Sequence, residues 1–376
     1  MGIAIVGCGF VADLYLKALP IHPELELMGV LDRDEDRASR FGQFHSVPVY
    51  ESLDELLSDR RVEIVLNLTN PSAHFELSKT CIEAGKHVYS EKPLALDLTE
   101  AEKLVELADD RGLQISSAPC SLLSETAQTI WKALRENRVG SVYVVYAEMD
   151  DGLVHRMPYK KWLSESGIPW PYKDELEIGC TLEHAGYLLT WLPAFFGPAQ
   201  TVTAFSSVQI PDKHTDVPLS VDAADFSVAC IKFASGVAAR LTCSIIAPHD
   251  HSLRVIGEDG VLSTNDSWNY RSPVYLRRWL TIRRRMITSP WRTKVPLQGA
   301  DNPLVRYRGA SRMDFCRGVA ELWAAVRARR ASRLSARFSL HVTELALAIH
   351  NATENGGSYT VRSSFDPIDP MPWAKK

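Results

Sequence analysis

The chain has 376 residues, of which 45% are hydrophobic and 23% are charged, and it carries a formal net charge of -4. This composition excludes disordered and fibrous proteins, and the length suits two domains of ordinary size. The slightly negative charge gives no general attraction to phosphate backbones, which argues against nucleic-acid binding as the main function. The seven cysteines show neither CxxC nor Cys/His ligand spacing, which favours a reducing compartment and argues against a structural zinc site.

The chain begins with MGIAIVGCGF, which predicts a strand and its turn rather than a secretory signal. Nowhere does an uninterrupted apolar run approach the roughly 20 residues that a membrane-spanning helix needs. The sequence therefore predicts a cytoplasmic protein without a transmembrane segment.

The first third of the chain alternates apolar strands with helical stretches. The predicted strands are GIAIVG, LELMGVLD, VEIVLNLT, GKHVYSE and LQISSA. The clearest helix, EAEKLVELADDRG, has Thr99 and Glu102 at capping-box spacing and ends at Gly112. Strands that are apolar throughout are typical of a parallel sheet with helices on both faces. We therefore expect a doubly wound parallel sheet over residues 1–119.

Beyond residue 119 the pattern changes. A helix, SETAQTIWKALRENRVG, and a strand, SVYVVYAEMDD, are followed by strands that alternate with a period of two, and the last helix stops at Gly356. This pattern predicts an α+β domain with an open, mostly antiparallel sheet over residues 120–376. Its outward face includes apolar residues in VACIKFA and ARLTCSIIA, so we expect it to serve as a dimer interface.

The stretch GCGFVA follows the first predicted strand and opens a helix. Gly7 permits a tight turn, Gly9 lets the backbone approach a pyrophosphate, and Ala12 lets the helix pack closely on the strand. The first helical turn, with Phe10 and Val11, adds free N–H groups and a partial positive charge. The sequence therefore predicts a dinucleotide site of the Rossmann type.

Asp32 ends the second predicted strand. A carboxylate at this position accepts hydrogen bonds from the ribose hydroxyls of NAD and repels the extra phosphate of NADP. The neighbouring Arg33 could instead receive that phosphate. We expect NAD as the cofactor, with NADP as the alternative.

Glu91, Lys92 and Pro93 follow the fourth strand, at the edge where open α/β sheets bind ligands. A lysine there can donate to a substrate oxygen and lower the pKa of a neighbouring hydroxyl. Taken in isolation, Lys92 would rather be interpreted as a surface lysine paired with Glu91.

Three stretches together, GCGFVA, TNPSAHFELSKTCIEAGKHVYSEKPLA and EIGCTLEHAGYLLTW, resemble the Gfo/Idh/MocA family of oxidoreductases. The resemblance covers the first domain closely and the second more loosely. It implies that Thr69, Asn70, Pro71 and His74 line the nicotinamide side of the cofactor site. It also implies that the Glu-Lys-Pro triplet belongs to the site and that the chain forms a homodimer or homotetramer.

The stretch from residue 177 to residue 191 predicts a helix with a titratable face. At about 100° per residue, leucines crowd one side, and Glu183, His184, Tyr187 and Trp191 share the other. One interpretation is a surface helix whose polar side is merely solvated. Trp191 is assigned to packing rather than to sugar stacking.

The family resemblance implies a catalytic role for that face. Family members transfer a proton with the triplet lysine and a D-x-x-x-H pair, and this chain has Glu183 and Tyr187 at those two positions. Some members are similar in having tyrosine there. We assign Tyr187 as the acid/base, acidified by Lys92, and Glu183 as a group that orients the lysine or a sugar hydroxyl. His184 is the rival base, since its unperturbed pKa of about 6.5 suits proton transfer near neutrality.

Several neighbouring stretches are less specific. Cys120 is expected to be structural, whereas the hydroxyls of Ser121 and Ser124 would suit a polyol. Segment 150–177, rich in aromatic and basic residues, could cap a cleft or contact another subunit.

Two further stretches carry charged or metal-ligating residues. The basic segment 276–294 has three interpretations. It is a solvated surface, a site for a phosphate-bearing substrate, or a surface that binds an anionic membrane or partner. His249 and His251 could bind a metal, but no third ligand is apparent in the sequence, and we expect no metal.

The sequence therefore predicts an NAD(P)-dependent oxidoreductase that acts on a secondary hydroxyl or ketone of a sugar, nucleotide-sugar or cyclitol. One alternative is a redox-neutral lyase, glycosidase or epimerase that uses retained NAD. The other is a non-catalytic NAD-sensing regulator, against which the combination of Lys92 and the Tyr187 hydroxyl argues.

Overall fold

The computed structural model describes residues 2–299 and 303–375 and divides the chain into two compact units. The first unit comprises Met1–Cys120, Pro158–Glu175 and Asp314–Leu347, and the second comprises Ser121–Met157, Leu176–Met313 and Ala348–Lys376. The sequence analysis assigned everything after residue 119 to the second domain. That assignment needs correction for two later segments, which fold with the first unit because they pack on its helices and sheet.

Helices occur throughout the chain. In chain order they are α1 Phe10–Ala18, α2 Glu35–His45, α3 Leu53–Ser58, α4 His74–Glu83, α5 Leu98–Arg111, α6 Glu125–Arg135, α7 Tyr172–Ile178, α8 Gly186–Leu189, α9 Trp191–Phe196, α10 Arg317–Arg327 and α11 Ala336–His350. The capping box predicted for α5 is displaced, because Asp97 rather than Thr99 accepts the backbone N–H of Glu100. Gly112 ends α5 in the left-handed conformation, as predicted.

The sheet of the first unit consists of β1 Gly2–Val6, β2 Glu26–Leu31, β3 Val62–Asn67, β4 His87–Ser90 and β5 Ile115–Ser117. These strands are parallel, in the order β2-β1-β3-β4-β5, and all five were predicted. The doubly wound parallel sheet is therefore confirmed. The strand order reverses between β1 and β3, and sheets of this kind bind ligands at the carboxyl ends of the strands beside such a reversal.

The returning segment 314–347 covers part of this sheet. Helix α10 contacts β4 and β5, and Gly318 on α10 lies against the buried ring of Tyr89 on β4. On α11, the hydroxyl of Ser339 accepts the backbone N–H of Ser117, and Leu340 belongs to the apolar core of the first unit. These helices belong to the first unit because parallel strands need apolar cover on both faces.

The sheet of the second unit has ten strands in the described part of the chain. They are β6 Val142–Asp150, β7 Ala199–Ser207, β8 Phe226–Phe233, β9 Ala238–Ser244, β10 Leu253–Gly257, β11 Gly260–Thr264, β12 Val274–Ile282, β13 Arg285–Thr288, β14 Thr293–Val295 and β15 Ser358–Thr360. Their order is β13-β12-β11-β10-β6-β9-β8-β7-β15, and β14 pairs with β12. Only β6 and β9 pair in parallel among these strands, so the predicted open, mostly antiparallel sheet is confirmed.

The basic segment 276–294 forms the β12–β13 hairpin and the start of β14, at one edge of this sheet. Trp291 and Met286 expose 77% and 66% of their surface, and Arg292 lies 4.1 Å from the ring centre of Tyr275. The segment therefore lies at the surface of the second unit. Across residues 2–299 and 303–375, the helices are all too short or too polar to cross a membrane.

Candidate functional site

The turn between β1 and α1 requires glycine for two different reasons. Gly7 has a φ of 102°, and a Cβ there would lie 2.6 Å from the carbonyl carbon of Leu68. Both the backbone conformation and the lack of space therefore exclude a side chain at Gly7. A Cβ at Gly9 would have no described protein atom within 4 Å, so the space beside Gly9 is open to a ligand.

Helix α1 begins directly after this turn at Phe10. Because Gly9 has no side chain, it cannot cap the N–H groups of the first helical turn, which includes Phe10 and Val11. Ala12 is fully buried, as close packing of helix and strand requires. The turn and the helix N-terminus together fit a pyrophosphate.

The carboxylate of Asp32 is fixed by the backbone around it. Its Oδ2 accepts the N–H of Cys8 at 2.8 Å, and its Oδ1 accepts the N–H of Asp34 at 2.9 Å. The guanidinium of Arg37 lies 3.6 Å from Oδ2, whereas Arg33 is exposed. Sequence reasoning named Arg33 and missed Arg37, which lies in the first turn of α2.

The loop after β3 is held by side chains of its own unit. The hydroxyl of Thr69 donates to Oδ1 of Asn67 at 2.6 Å, and Nδ2 of Asn70 donates to Oδ2 of Asp174 at 2.7 Å. Pro71 then starts a short 3-10 turn that leads into α4. The predicted nicotinamide-side loop is thus fixed at the carboxyl end of β3.

His74 is fully buried, and its ring joins two stretches of backbone. Nδ1 lies 2.7 Å from the carbonyl oxygen of Pro93, and Nε2 lies 3.0 Å from that of Thr69. Burial lowers the pKa of His74 below its usual value, although both carbonyls favour the charged ring. His74 therefore ties the loop after β3 to the residue that follows Lys92.

Glu91, before Lys92, is also anchored. The hydroxyl of Tyr15 donates to Oε1 of Glu91 at 2.8 Å, and the backbone N–H of Lys92 donates to Oε2 at 3.1 Å. Burial, followed by the charge of Glu91, raises the pKa of Tyr15 well above its usual value, which keeps the phenol protonated as the donor. Glu91 is buried and Lys92 is half-buried, so the triplet is not fully solvated.

Residues 158–175 pack on helix α1 of the first unit. The hydroxyl of Ser166 donates to Oδ2 of Asp13 at 2.7 Å, and Nζ of Lys17 lies 2.5 Å from Oε1 of Glu165. The hydrogen bond from Asn70 to Asp174 adds a contact with the loop after β3. This segment therefore packs along α1 and reaches the loop after β3.

In the second unit, the helix predicted over residues 177–191 is interrupted. Helix α7 ends at Ile178, Gly179 has a φ of 87°, and Thr181–Ala185 forms a π-helical turn before α8. Glu183 and Tyr187 expose only 5% and 8% of their surface. The solvated-surface interpretation is therefore wrong. Titratable residues are buried on an irregular turn, an arrangement that is frequent at functional sites.

Tyr187 is held by its backbone and by a ring contact. Its carbonyl oxygen accepts hydrogen bonds from the hydroxyls of Ser121 and Thr190 at 2.7 and 3.1 Å. Its ring centre lies 5.1 Å from that of Trp268. Trp191 is fully buried and donates from Nε1 to Ser121, so its assignment to packing agrees with the structure.

His184 lies against Asp151, the residue after β6. Nε2 of His184 is 2.9 Å from Oδ2 of Asp151, and Nε2 of His251 is 2.8 Å from Oδ1. Burial alone would raise the pKa of Asp151, but the two imidazoles hold it well below its usual range. Sequence reasoning missed Asp151 and Trp268, because only sheet register brings them to these histidines.

The residues after β5 are structural. Ser121 is fully buried and bonded as described, and the hydroxyl of Ser124 caps α6 by accepting the N–H of Ala127. Cys120 is buried, and its thiol donates to the carbonyl oxygen of Asp314. The hydroxyls of Ser121 and Ser124 are therefore committed inside the protein, and the suggestion that they bind a polyol is not supported.

Both halves of the chain match profiles of one protein family. Residues 1–118 match the profile described as "Oxidoreductase family, NAD-binding Rossmann fold", named GFO_IDH_MocA. Residues 127–263 match the profile described as "GFO/IDH/MocA C-terminal domain". The two matched ranges belong to the two predicted domains.

Individual relatives share 27% or less of their sequence with this chain in the three comparisons that follow. The chain is 27% identical to trans-1,2-dihydrobenzene-1,2-diol dehydrogenase of Bos taurus over 269 residues, covering 70% of this chain and 73% of the relative. The 3-ketoreductase KijD10 from Actinomadura kijaniata, solved with TDP-benzene and NADP, superposes with a TM-score of 0.69 and 21% identity, covering 94% of this chain and 97% of the other. The WlbA dehydrogenase from Bordetella pertussis, solved with NADH and UDP-GlcNAcA, gives 0.72 and 16%, with coverage of 97% and 98%.

Proposed function

Because the chain belongs to the Gfo/Idh/MocA family of NAD(P)-dependent oxidoreductases, we propose that it exchanges a hydride between the nicotinamide and a secondary hydroxyl or ketone of a sugar, nucleotide-sugar or cyclitol. The observation that carries the proposal is the π-helical turn and the helix α8 after it, in which Glu183 and Tyr187 are buried and His184 is half-buried. Nucleotide-sugars are the first class to test, because two structural relatives were solved with nucleotide-containing ligands.

We propose that NAD(P) binds along the carboxyl ends of β1, β2 and β3. Gly7, Gly9 and the start of α1 would hold the pyrophosphate, Asp32 the adenine-side ribose, and the loop from Thr69 to His74 the nicotinamide side. The fixed carboxylate of Asp32 supports NAD as the preferred cofactor, since ribose hydroxyls can donate to it. When bound, the nicotinamide supplies the hydride chemistry.

The proposed proton transfer uses residues of this chain. A secondary alcohol can give up a hydride only as its hydroxyl proton leaves, so the reaction needs a positioned base. We assign this role to Tyr187, with Lys92 binding the reacting oxygen and lowering the pKa of the phenol. Glu183 would orient Lys92 or a sugar hydroxyl. His184, whose Nε2 lies against the Asp151 carboxylate, is the rival base.

The first experiment identifies cofactor and substrate. Purified protein is mixed with NAD or NADP and a panel of sugars, nucleotide-sugars, cyclitols and a trans-dihydrodiol, and reduced-cofactor absorbance is followed. We expect turnover with at least one sugar-type alcohol. Turnover of the dihydrodiol alone would contradict the proposed substrate class, and bound cofactor without turnover on any alcohol or on the matching ketones would contradict the proposed reaction.

The second experiment tests the role of Tyr187. Tyr187→Phe removes only the hydroxyl, so we expect kcat to fall by about 100-fold or more, the range of general acid–base catalysis, with unchanged cofactor affinity. Tyr146→Phe is the matched control, because Tyr146 lies on β6 of the second sheet. There the guanidinium carbon of Arg240 is 4.6 Å from the ring centre of Tyr146. Unchanged kcat in Tyr187→Phe, together with loss of activity in His184→Gln, would transfer the role to His184.

A further inference from the structure

Backbone pairing brings a carboxylate and two imidazoles together in the second unit. Asp150 at the end of β6 and Asp250 exchange two backbone hydrogen bonds of 2.9 Å. This bridge sets Asp151 beside His249 and His251, which flank Asp250. One ligand atom from each of these three residues lies within 4.8 Å of the other two. The third ligand that the sequence does not reveal for the histidine pair is therefore Asp151, the residue after β6.

The ring of His251 is in an unusual state for a buried histidine. It is 0% exposed, and neither Nδ1 nor Nε2 makes a hydrogen bond with any described residue. Its Nε2 lies 2.8 Å from Oδ1 of Asp151, an ion-pair distance, whereas its Nδ1 has no polar partner among the described residues. Buried polar groups normally have a hydrogen-bond partner, so this nitrogen calls for an explanation. A bound metal ion would supply the missing partner.

The neighbouring side chains hold the cluster in place. The rings of His249 and His251 lie 4.1 Å apart, and the ring of Trp268 lies 4.5 Å from that of His251. His184 lies 2.9 Å from the second carboxylate oxygen, Oδ2 of Asp151. Contacts of this kind to the outer side of a metal ligand orient it and tune its charge.

From this geometry we propose that Asp151, His249 and His251 bind a divalent transition-metal ion, of which Zn²⁺ is the leading candidate. Two imidazole nitrogens and one carboxylate oxygen suit Zn²⁺ and other first-row metals, whereas Mg²⁺ and Ca²⁺ prefer oxygen ligands throughout. Three protein ligands leave a coordination position that water or a substrate oxygen can take. The ion neutralises the half-buried carboxylate of Asp151 and engages the ring of His251.

The test measures metal binding directly, without substrate or NAD(P), so its outcome is independent of the proposed oxidoreductase activity. The full chain is stripped with a chelator, titrated with Co²⁺ and followed by visible absorption, and Zn²⁺ is then added. We expect one equivalent of Co²⁺ to bind with the spectrum of a four- or five-coordinate ion, and Zn²⁺ to displace it.

His249→Gln is the informative variant, because His249 is exposed and its replacement should leave the fold intact. Removing even an outer contact of a metal ligand lowers metal affinity by at least about 10-fold. We therefore expect the loss of a ligand itself to lower the Co²⁺ affinity by more than that. His214→Gln is the matched control, since His214 is an exposed histidine of the same unit, 3.3 Å from Asp212. Circular dichroism establishes that both variants are folded.

Two results would overturn the proposal. One is that the wild-type chain binds neither Co²⁺ nor Zn²⁺ at one equivalent, in which case Asp151 simply pairs with His184 and His251. The other is that His249→Gln and His214→Gln bind Co²⁺ as tightly as the wild type does, which would place the ion elsewhere.

Discussion

At the scale of single residues, we propose that Asp32 selects between NAD and NADP. Its carboxylate is held by two backbone N–H groups, so its position does not depend on the cofactor. A fixed negative charge favours the ribose hydroxyls of NAD and disfavours the phosphate of NADP. The cationic Arg37 beside it would attract that phosphate once the charge of Asp32 is removed.

We therefore predict that Asp32→Asn reverses or weakens the preference for NAD. Hydrogen bonds to a charged group contribute about 1.5–3 kcal/mol, so NAD affinity should fall by roughly 10- to 100-fold while NADP affinity rises. The measurement is fluorescence titration with each cofactor. Asp34→Asn is the control, because Asp34 caps α2 nearby and asparagine caps equally well. An equal change for both cofactors would contradict a discriminating role for Asp32.

The residue scale also shows where sequence reasoning stops. The sequence predicts Asp32 and Gly7 because their partners lie in one short strand-turn-helix pattern with known spacing. Asp151 and Trp268 give no such pattern, since 98 or more residues separate Asp151 from the histidine pair. Asp151 reaches the histidine pair only through the pairing of β6 with β10 and the backbone bridge between Asp150 and Asp250. Trp268 reaches it through the bridge between His251 and Asp266.

At the scale of secondary-structure elements, close packing of α10 on β4 depends on Gly318. A Cβ at Gly318 would overlap the hydroxyl and ring of Tyr89, which is fully buried. Glycine inside a helix costs about 0.5–1 kcal/mol relative to alanine, so the position would favour alanine if space allowed. The sequence shows no glycine pattern that reveals this contact, because the partner strand lies more than 200 residues earlier.

We predict that Gly318→Ala destabilises the first unit despite the gain in helix propensity. Overpacking a buried contact costs about 1–3 kcal/mol, which exceeds the propensity gain. Urea unfolding of Gly318→Ala, of Tyr89→Phe and of the double variant measures the coupling between the two positions. Tyr89→Phe should relieve part of the loss, because it removes the hydroxyl that the new methyl group would overlap. A more stable Gly318→Ala would disprove this packing argument.

At the scale of the whole molecule, the two architectures were predictable and the path of the chain between them was not. The parallel sheet follows from contiguous apolar strands, and the antiparallel sheet from alternation with a period of two. Segments 158–175 and 314–347 join the first unit through contacts that are distant in sequence. A helix with an apolar face does not specify which of two sheets it will cover, so a single boundary near residue 119 could not describe this chain.

The outward face of the second sheet provides the remaining prediction, which concerns assembly. Phe205 on β7 exposes 55% of its surface, pairs with Val228 on β8 and lies 6.5 Å from the ring of Phe226. Cys230, which like Val228 lies on β8, is also exposed. An exposed apolar band of this kind is typical of a self-complementary interface, which in a stable dimer buries about 800 Å² per partner.

We therefore predict that the chain forms a homodimer or homotetramer through this face and that Phe205→Arg shifts it toward the monomer. Each copy would place a desolvated arginine at the centre of a symmetric interface, so both copies suffer the penalty. Light scattering coupled to size-exclusion chromatography measures the mass. Phe44→Arg is the matched control, because Phe44 exposes 56% of its surface on α2 of the first unit. A monomeric wild type, or dissociation by Phe44→Arg but not by Phe205→Arg, would remove this face as the interface.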